Sequence, residues 1–276
     1  NIWTSTQGSF TVRASVAGVL RIPASQIKVT PTEIGGGFGG KITAYLDAIT
    51  ALLSRKTGTP VKALMTRTEV FEASGPAPAS WMRVKIGVKN DGKMTAVETE
   101  IAMEAGAYPG SPAMQAIVCA FACYDVENGK LDGYDVVVNK PKVSPYRAPG
   151  GPAAGFAGET LIDELCGSLG IDPLEFRLRN GAKEGTQRVT GLRFRRIGNL
   201  EVMQAAKDHP HYRAPLGGPN RGRGVAAAVC FNISGPACAA VNLNQDGTIS
   251  LLEGSPDLAG SRTAVAMQVA EVLGVS

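Results

Sequence analysis

The spacing of apolar residues along this chain changes period several times, and each change marks an element. From Phe10, FTVRASVAGVL carries its apolar residues at helical spacing, with Ser9 placed as the N-cap. Gln26 to Ile34 reads as a strand and runs into Gly35-Gly36-Gly37-Phe38-Gly39-Gly40-Lys41. Beyond it, ITAYLDAITALLSRKTG regains the helical period and closes on basic residues and Gly58. VKALMTR is the next strand, so the pattern predicts a β-loop-α-β unit with its glycines at the strand-to-helix turn. WMRVKIGVK and KMTAVETEIAM alternate on either side of Asn90-Asp91-Gly92, a hairpin signal. Segments 112–123 and 153–170 are helical, and a short helix begins near Asp172-Pro173. Between them, the strand-like YDVVVN leads into an irregular loop from Pro145 to Pro152.

From Leu192 to Asn220 the pattern turns basic and irregular, with GGPNRGRG as the boundary. A second, β-rich unit follows: GVAAAVCFNI, ACAAVNLN, a turn at Gln245-Asp246-Gly247, TISLLEGS, and a helix from Ser261 to Leu273. Hairpins mixed with a βαβ piece predict an α+β fold, with mixed sheets and packed helices.

Composition narrows the classes. With 276 residues, 44% of them hydrophobic, the chain can bury ample core, and 34 glycines with 17 prolines imply many turns. A net charge of +4 without a lysine or arginine run argues against a nucleic-acid partner. No apolar run reaches membrane-spanning length. Five cysteines without CxxC spacing and only two histidines support neither a disulfide framework nor a protein-ligated zinc site. Cys119 and Cys123 lie in an apolar setting and read as core thiols, consistent with a reducing, cytoplasmic compartment. The opening residues, NIWTSTQGSF, resemble mid-domain sequence, so the chain reads as cut from something longer.

Candidate chemistry concentrates in the glycine loop. Five glycines in six positions let backbone approach a ligand closely, and a following helix N-terminus would aim free N–H groups at an anion. Gly35, Gly37 and Gly40 satisfy GxGxxG, with Glu69 as the ribose-binding acid, so a nucleotide-binding, Rossmann-like dehydrogenase is one reading. The loop also approaches GxxxxGK[ST], but Ile42 replaces the hydroxyl that would ligate magnesium. Tight helix-on-strand packing would need only one or two of these glycines.

A third template takes in more of the chain. GGGFGGK resembles the signature of the molybdenum-cofactor-binding subunit of the xanthine oxidase family, the molybdenum hydroxylases. The resemblance extends to Trp3-Thr4-Ser5-Thr6-Gln7, the Pro145–Pro152 loop with GFAGETLIDELC, DPLEFRLRN, and GSPDLAGSRTAVAMQVAEVLGV, in the family's order. It implies that residues 1–215 are a first molybdopterin-binding domain lacking its N-terminal part, and 221–276 the beginning of a second.

The same resemblance assigns roles. Molybdenum is held by a pterin, so no direct protein ligand is expected, and the protein supplies hydrogen-bond donors. Gln7 matches the glutamine whose amide lies against a molybdenum oxygen. Gly36, Gly37, Phe38 and Gly39 match the loop that faces the metal ligands, with the Phe38 ring expected as a packed wall. Arg147 and Ala148 match the second cofactor loop. Gly260 and Ser261 stand where many relatives carry GQG, here Leu258-Ala259-Gly260-Ser261, so the glutamine contact is lost.

Departures narrow the substrate. Ile42 replaces the glutamate of purine-oxidising members, Gln115 falls near their substrate arginine, and Pro149 replaces their stacking phenylalanine. Ala148 stands where carbon monoxide dehydrogenases carry the cysteine for copper. The implied reaction is oxidation of an aldehyde or aromatic N-heterocycle with water as oxygen source. The implied cofactor is Mo-molybdopterin or its cytosine dinucleotide, with Fe-S clusters and FAD on partner subunits or domains. The implied partners are the remaining part of the molybdenum subunit and the Fe-S and FAD subunits. The family's glutamate base lies in a GxGE-like segment that this sequence does not contain, so no catalytic residue is assigned and the chain alone is expected to be inactive. Glu159 and Glu164 read as structural. A non-catalytic binding or assembly domain is the remaining alternative.

Overall fold

The computed structural model describes residues 1–229 and 238–275, which form two compact units. One comprises Asn1–Ala77, Ser144–Arg147 and the described part of 232–276; the other comprises Pro78–Val143 and the described part of 148–231. No helix among the described residues is long and apolar enough to cross a membrane.

The first unit begins with β1 (Ile2–Thr4), α1 (Ser9–Leu20), β2 (Val29–Pro31), α2 (Asp47–Thr57) and α3 (Arg67–Ala73). The strand read over 26–34 contracts to β2, which pairs in parallel with β1, Trp3 opposite Thr30. Val12, Val16 and Ile27 form a small core, with Ala44, Ala48 and Ala51 packed against it. Ser9 is not the cap of α1: Gly8 precedes the helix, and the Gly8 N–H donates to Thr6 Oγ1 (3.0 Å). The α2 helix ends on left-handed Gly58, as its sequence predicts.

Two expectations fail here. VKALMTR is not a strand, and no ladder reaches 61–66. Instead Thr66 caps α3 in a reciprocal box: Thr66 Oγ1 accepts from the Glu69 N–H (3.3 Å) and Glu69 Oε2 accepts from the Thr66 N–H (2.6 Å). Those bonds hold the Glu69 carboxyl below its ordinary value, and they commit the group proposed for a ribose.

The second unit contains β3 (Ser80–Val88), β4 (Met94–Gly106), α4 (Ala113–Cys119), β5 (Asn128–Val137), α5 (Gly151–Leu169), α6 (Pro173–Asn180), α7 (Asn199–Asp208) and α8 (Pro210–Arg213). Its sheet order is β3-β4-β5, antiparallel then parallel, the parallel step being bridged by α4. Alternation sends Val97, Ile101 and Met103 into the core, while Arg83 pairs with Glu100 (2.6 Å) and Lys85 with Glu98 (3.2 Å) on the outer face. Asp172 caps α6 by accepting from the Leu174 and Glu175 N–H groups. The irregular stretch expected after Leu192 instead contains α7 and α8. The strand expected from Gly224 is absent through Val229, and its remainder lies outside the described residues.

The deepest feature of this unit is ionic. Arg177 is fully buried and binds Glu159 and Asp163 (each 2.9 Å) and the Val225 carbonyl (2.8 Å). Glu159 also accepts from the Tyr124 hydroxyl (2.6 Å) and the Ala227 N–H (2.7 Å). Burial first, and the Glu159 carboxylate second, push the Tyr124 phenol above its ordinary value. The same two causes, with Cys119 after them, raise the Cys123 thiol to about 12. Cys123 belongs to the main core, as read from the sequence.

The chain returns to the first unit with β6 (Ala239–Leu243), β7 (Ile249–Glu253) and α9 (Ser261–Leu273), all predicted from sequence. Asp246 sits in the hairpin turn and accepts from the Thr248 N–H (3.0 Å).

Two measurements check this account. Arg177→Met leaves Glu159 buried and unpaired, so urea unfolding should show a loss of about 3–5 kcal/mol, whereas an unchanged midpoint would refute the network's role. Iodoacetamide at pH 8 with peptide mapping should label exposed Cys238 and spare Cys123, whose thiolate fraction is on the order of one in ten thousand. Comparable labelling of both would contradict the burial assigned to Cys123.

Candidate functional site

The segment from Thr6 to Gly8 and the end of the glycine loop bind each other strand-fashion without forming a ladder. The Gln7 N–H donates to the Lys41 carbonyl (2.9 Å), and the buried Thr6 hydroxyl donates to the same oxygen (3.1 Å). The Gln7 side chain then turns across the loop, and its Oε1 accepts from the Gly39 N–H (2.9 Å) and the Lys41 N–H (3.2 Å). Two N–H donors on one amide atom identify it as the oxygen, so Nε2 is the free end, with no protein acceptor for it among the described residues. Lys41 Nζ ties the loop back to the Ile34 carbonyl (2.6 Å).

Glycine is required at two positions here. A Cβ on Gly37 would collide with the Gln7 side chain. Gly39 has φ +96°, and a Cβ there would lie 2.7 Å from the Pro145 carbonyl oxygen. The second loop is therefore seated directly on the first. The Arg147 N–H donates to the Phe38 carbonyl (2.7 Å), and the Arg147 guanidinium stands 5.6 Å from the centre of the Phe38 ring. Ser144 anchors this loop by donating its N–H to the Pro76 carbonyl (3.0 Å) and by its hydroxyl contact with Tyr45 (3.3 Å).

Backbone strain marks the same residues. Phe38, Arg147 and Ala148 all have positive φ (51°, 21° and 54°), as does Ala259 (53°), immediately before Gly260. Non-glycine residues adopt this region rarely, and surrounding contacts must hold them there.

The structure brings together Gln7, Gly37, Phe38, Gly39 and Arg147, with Gly36 adjoining the Phe38 ring and Ile42 at the loop's end. Phe38 departs from the expected packed wall, since 58% of it is exposed, with the Arg147 guanidinium over its ring. The glycine loop also does not open the helix, because α2 starts at Asp47 after turns and bends through Leu46, and the N–H groups of Gly39, Gly40, Lys41 and Ile42 are taken by Gln7 and by the loop's own carbonyls. Gly260 and Ser261 start α9, and the Ser261 hydroxyl is taken by its own turn, accepting from the Leu258 N–H (2.9 Å) and donating to the Pro256 carbonyl (3.1 Å). In the second unit, Gly150 packs on α4, where a Cβ would lie 2.5 Å from the Pro112 carbonyl oxygen and 2.6 Å from the Ala116 nitrogen. That contact sets Pro149 beside the turn of α4 that carries exposed Gln115. Sequence reasoning missed Thr6, Tyr45 and Ser144; only Thr6, inside the TST run, offered a local signal.

The chain is 31% identical over 99% of its length to the aldehyde oxidoreductase molybdenum-binding subunit of Escherichia coli K12, and it spans 38% of that relative. Among solved structures it resembles quinoline 2-oxidoreductase from Pseudomonas putida 86 (30% identity, TM-score 0.68, 75% of this chain and 28% of that one). It shares the fold of the aldehyde oxidoreductase from Desulfovibrio desulfuricans (23% identity, TM-score 0.80, 90% of this chain and 29% of that one). The family model for the molybdopterin cofactor-binding domain matches residues 1–181, which include both strained loops, and this chain belongs to that family.

Proposed function

We propose that these residues form the cofactor-cradling part of a molybdenum hydroxylase acting on an aldehyde or an aromatic N-heterocycle, with water as the oxygen source. Residues 1–215 are taken as the first molybdopterin-binding domain and 221–276 as the start of the second. The observation that carries the reading is the Gln7 amide, whose oxygen is spent on the loop while its NH₂ remains available to donate to an oxygen ligand. The cradle suits a pterin-held metal: it offers donors and close backbone and brings no protein ligand of its own. No group of His, Cys, Asp or Glu side chains among the described residues is placed to hold a bare ion.

Bound there, the molybdenum cofactor would supply the two-electron oxidation of the substrate carbon, with electrons passing to Fe-S and FAD partners. The chain's part is to orient. Gln7, held against the loop by the Gly39 and Lys41 N–H groups, donates from its Nε2, and Arg147 fixes Phe38. Ala148 offers no thiol for copper, and Ile42, Gln115 and Pro149 bring neither charge nor an aromatic wall to a purine. Two relatives support this substrate class, one named for aldehydes and the other for quinoline, each 30–31% identical. The base must be another group, because Glu159 already accepts from three donors. A reducing cytoplasmic setting, with the rest of the molybdenum subunit and Fe-S and FAD subunits as partners, follows from the same reading.

The test uses the protein in its native complex, with metal analysis and pterin fluorescence. Gly39→Ala must strain a left-handed position and push on Pro145, so molybdenum and pterin content should fall to about a tenth or less while circular dichroism is unchanged. Gly40→Ala, whose Cβ meets only the Gly37 carbonyl at 3.4 Å, should retain most of the content. Wild-type complex without molybdenum, or faster oxidation of hypoxanthine than of aldehydes and heteroaromatics, would overturn the reading.

A further inference from the structure

Thr6 is buried, and its hydroxyl is committed in both of its capacities. Its one proton goes to the Lys41 carbonyl (3.1 Å), so the oxygen is left to accept from the Gly8 N–H (3.0 Å). The second bond closes a tight turn centred on Gln7. It does not serve as a helix cap: α1 has no side-chain cap bond, and Gly8 joins that helix through its carbonyl, which accepts from the Val12 N–H (3.0 Å). Residues 6 and 7 together hold Lys41 by both of its main-chain groups. The Lys41 carbonyl takes the Thr6 hydroxyl and the Gln7 N–H, while the Lys41 N–H donates to Gln7 Oε1.

The path of the Gln7 side chain has little tolerance. A Cβ on Gly37 would overlap its Cγ, Cδ and Oε1, so the amide crosses directly over bare backbone to reach the Gly39 and Lys41 N–H groups. A turn that opened at Gly8 would swing the Gln7 main chain and draw Oε1 off those donors. The amide is planar, so Nε2 would move with it. We propose that Thr6 is the positioning residue for Gln7: its hydroxyl fixes the turn from which the amide crosses the glycine loop, and thereby fixes where Nε2 points. The proposal rests on the reading of Nε2 as a donor to the cofactor, and it adds the group that aims it. Valine has the shape of threonine without the hydroxyl, so Thr6→Val removes both bonds and leaves the Gly8 N–H without this acceptor. Thr6→Ser keeps them.

Hydrogen exchange read by mass spectrometry on the native complex tests this, since the Gly39 and Lys41 amides report their bonds to Gln7 Oε1 directly. Thr6→Val should speed exchange at those amides at least about tenfold, as should Gln7→Leu, while α1 amides from Arg13 to Leu20 stay within about twofold of wild type. Thr6→Ser should stay within about threefold of wild type throughout. Combining Thr6→Val with Gln7→Leu should speed exchange at Gly39 by no more than about twofold over Gln7→Leu alone, because Thr6 acts there through Gln7. In the molybdenum-loaded complex, the electron paramagnetic resonance signal of the metal should change alike in Thr6→Val and Gln7→Leu and match wild type in Thr6→Ser. Unchanged loop exchange or an unchanged metal signal in Thr6→Val, a rise shared equally by α1, or no rescue by serine would overturn the inference and leave the cofactor reading standing. A wild-type complex without molybdenum would overturn that reading instead, and the exchange comparison would still decide whether Thr6 holds Gln7.

Discussion

The Gln7 side-chain oxygen takes the N–H groups of Gly39 and Lys41 together, and this two-pronged contact gives fixed shape to a loop that belongs to neither helix nor sheet. A buried or half-buried amide left unpaired is costly, so the loop needs such an acceptor. The contact also sets the sequence: Gly37 must be bare for Gln7 to cross, and Gly39 must be bare and left-handed for Pro145 to close over it. Phe38 is then forced to positive φ and its carbonyl presented to the Arg147 N–H. A single side chain thereby determines which backbone groups are consumed within the loop and which remain available to a ligand.

The second unit fixes the Pro149–Gly150 turn by different means. Gly150 abuts the backbone of α4, so the position of Pro149 depends on a helix whose own seat is the main core. Below that core, Arg177 and Glu159 join α5 to α6 and to the strand-less segment at Val225 and Ala227. A buried ion pair is no efficient source of stability, but it fixes geometry because any other arrangement leaves a charge unpaired. The segment after α8 has no ladder of its own and depends on this network for its place.

Much of the fold was legible because its signals are local. The β3–β4 hairpin followed from alternation and Asn90-Asp91-Gly92, α6 from Asp172-Pro173, and α2 from its basic end and Gly58. Failures occurred where a remote partner decides. VKALMTR has a strand's composition, but composition supplies no partner, and no strand among the described residues pairs with it. The site was legible where the chain's own chemistry is unusual, as in glycine runs and an arginine amid proline and glycine. Tyr45 and Ser144 were not, because their hydroxyl contact spans 99 positions and neither residue stands out in its neighbourhood. The exposed ring of Phe38 was misread for a related reason: a large apolar residue between glycines looks like core, whereas here it is held open by backbone strain.

The division of chemical labour follows from where carboxylates lie. A general base needs a lone pair free to take a proton and a path to the substrate. Among the described residues Glu159 is the buried carboxylate, and Tyr124, Arg177 and Ala227 already donate to it. Asp163, half-exposed, shares the same guanidinium, and Asp172 is consumed as a helix cap. The loops around Gln7 and Arg147 carry donors and bare backbone but no acid. Such an arrangement offers hydrogen-bond donors to an electron-rich group and supplies no carboxylate to take a proton.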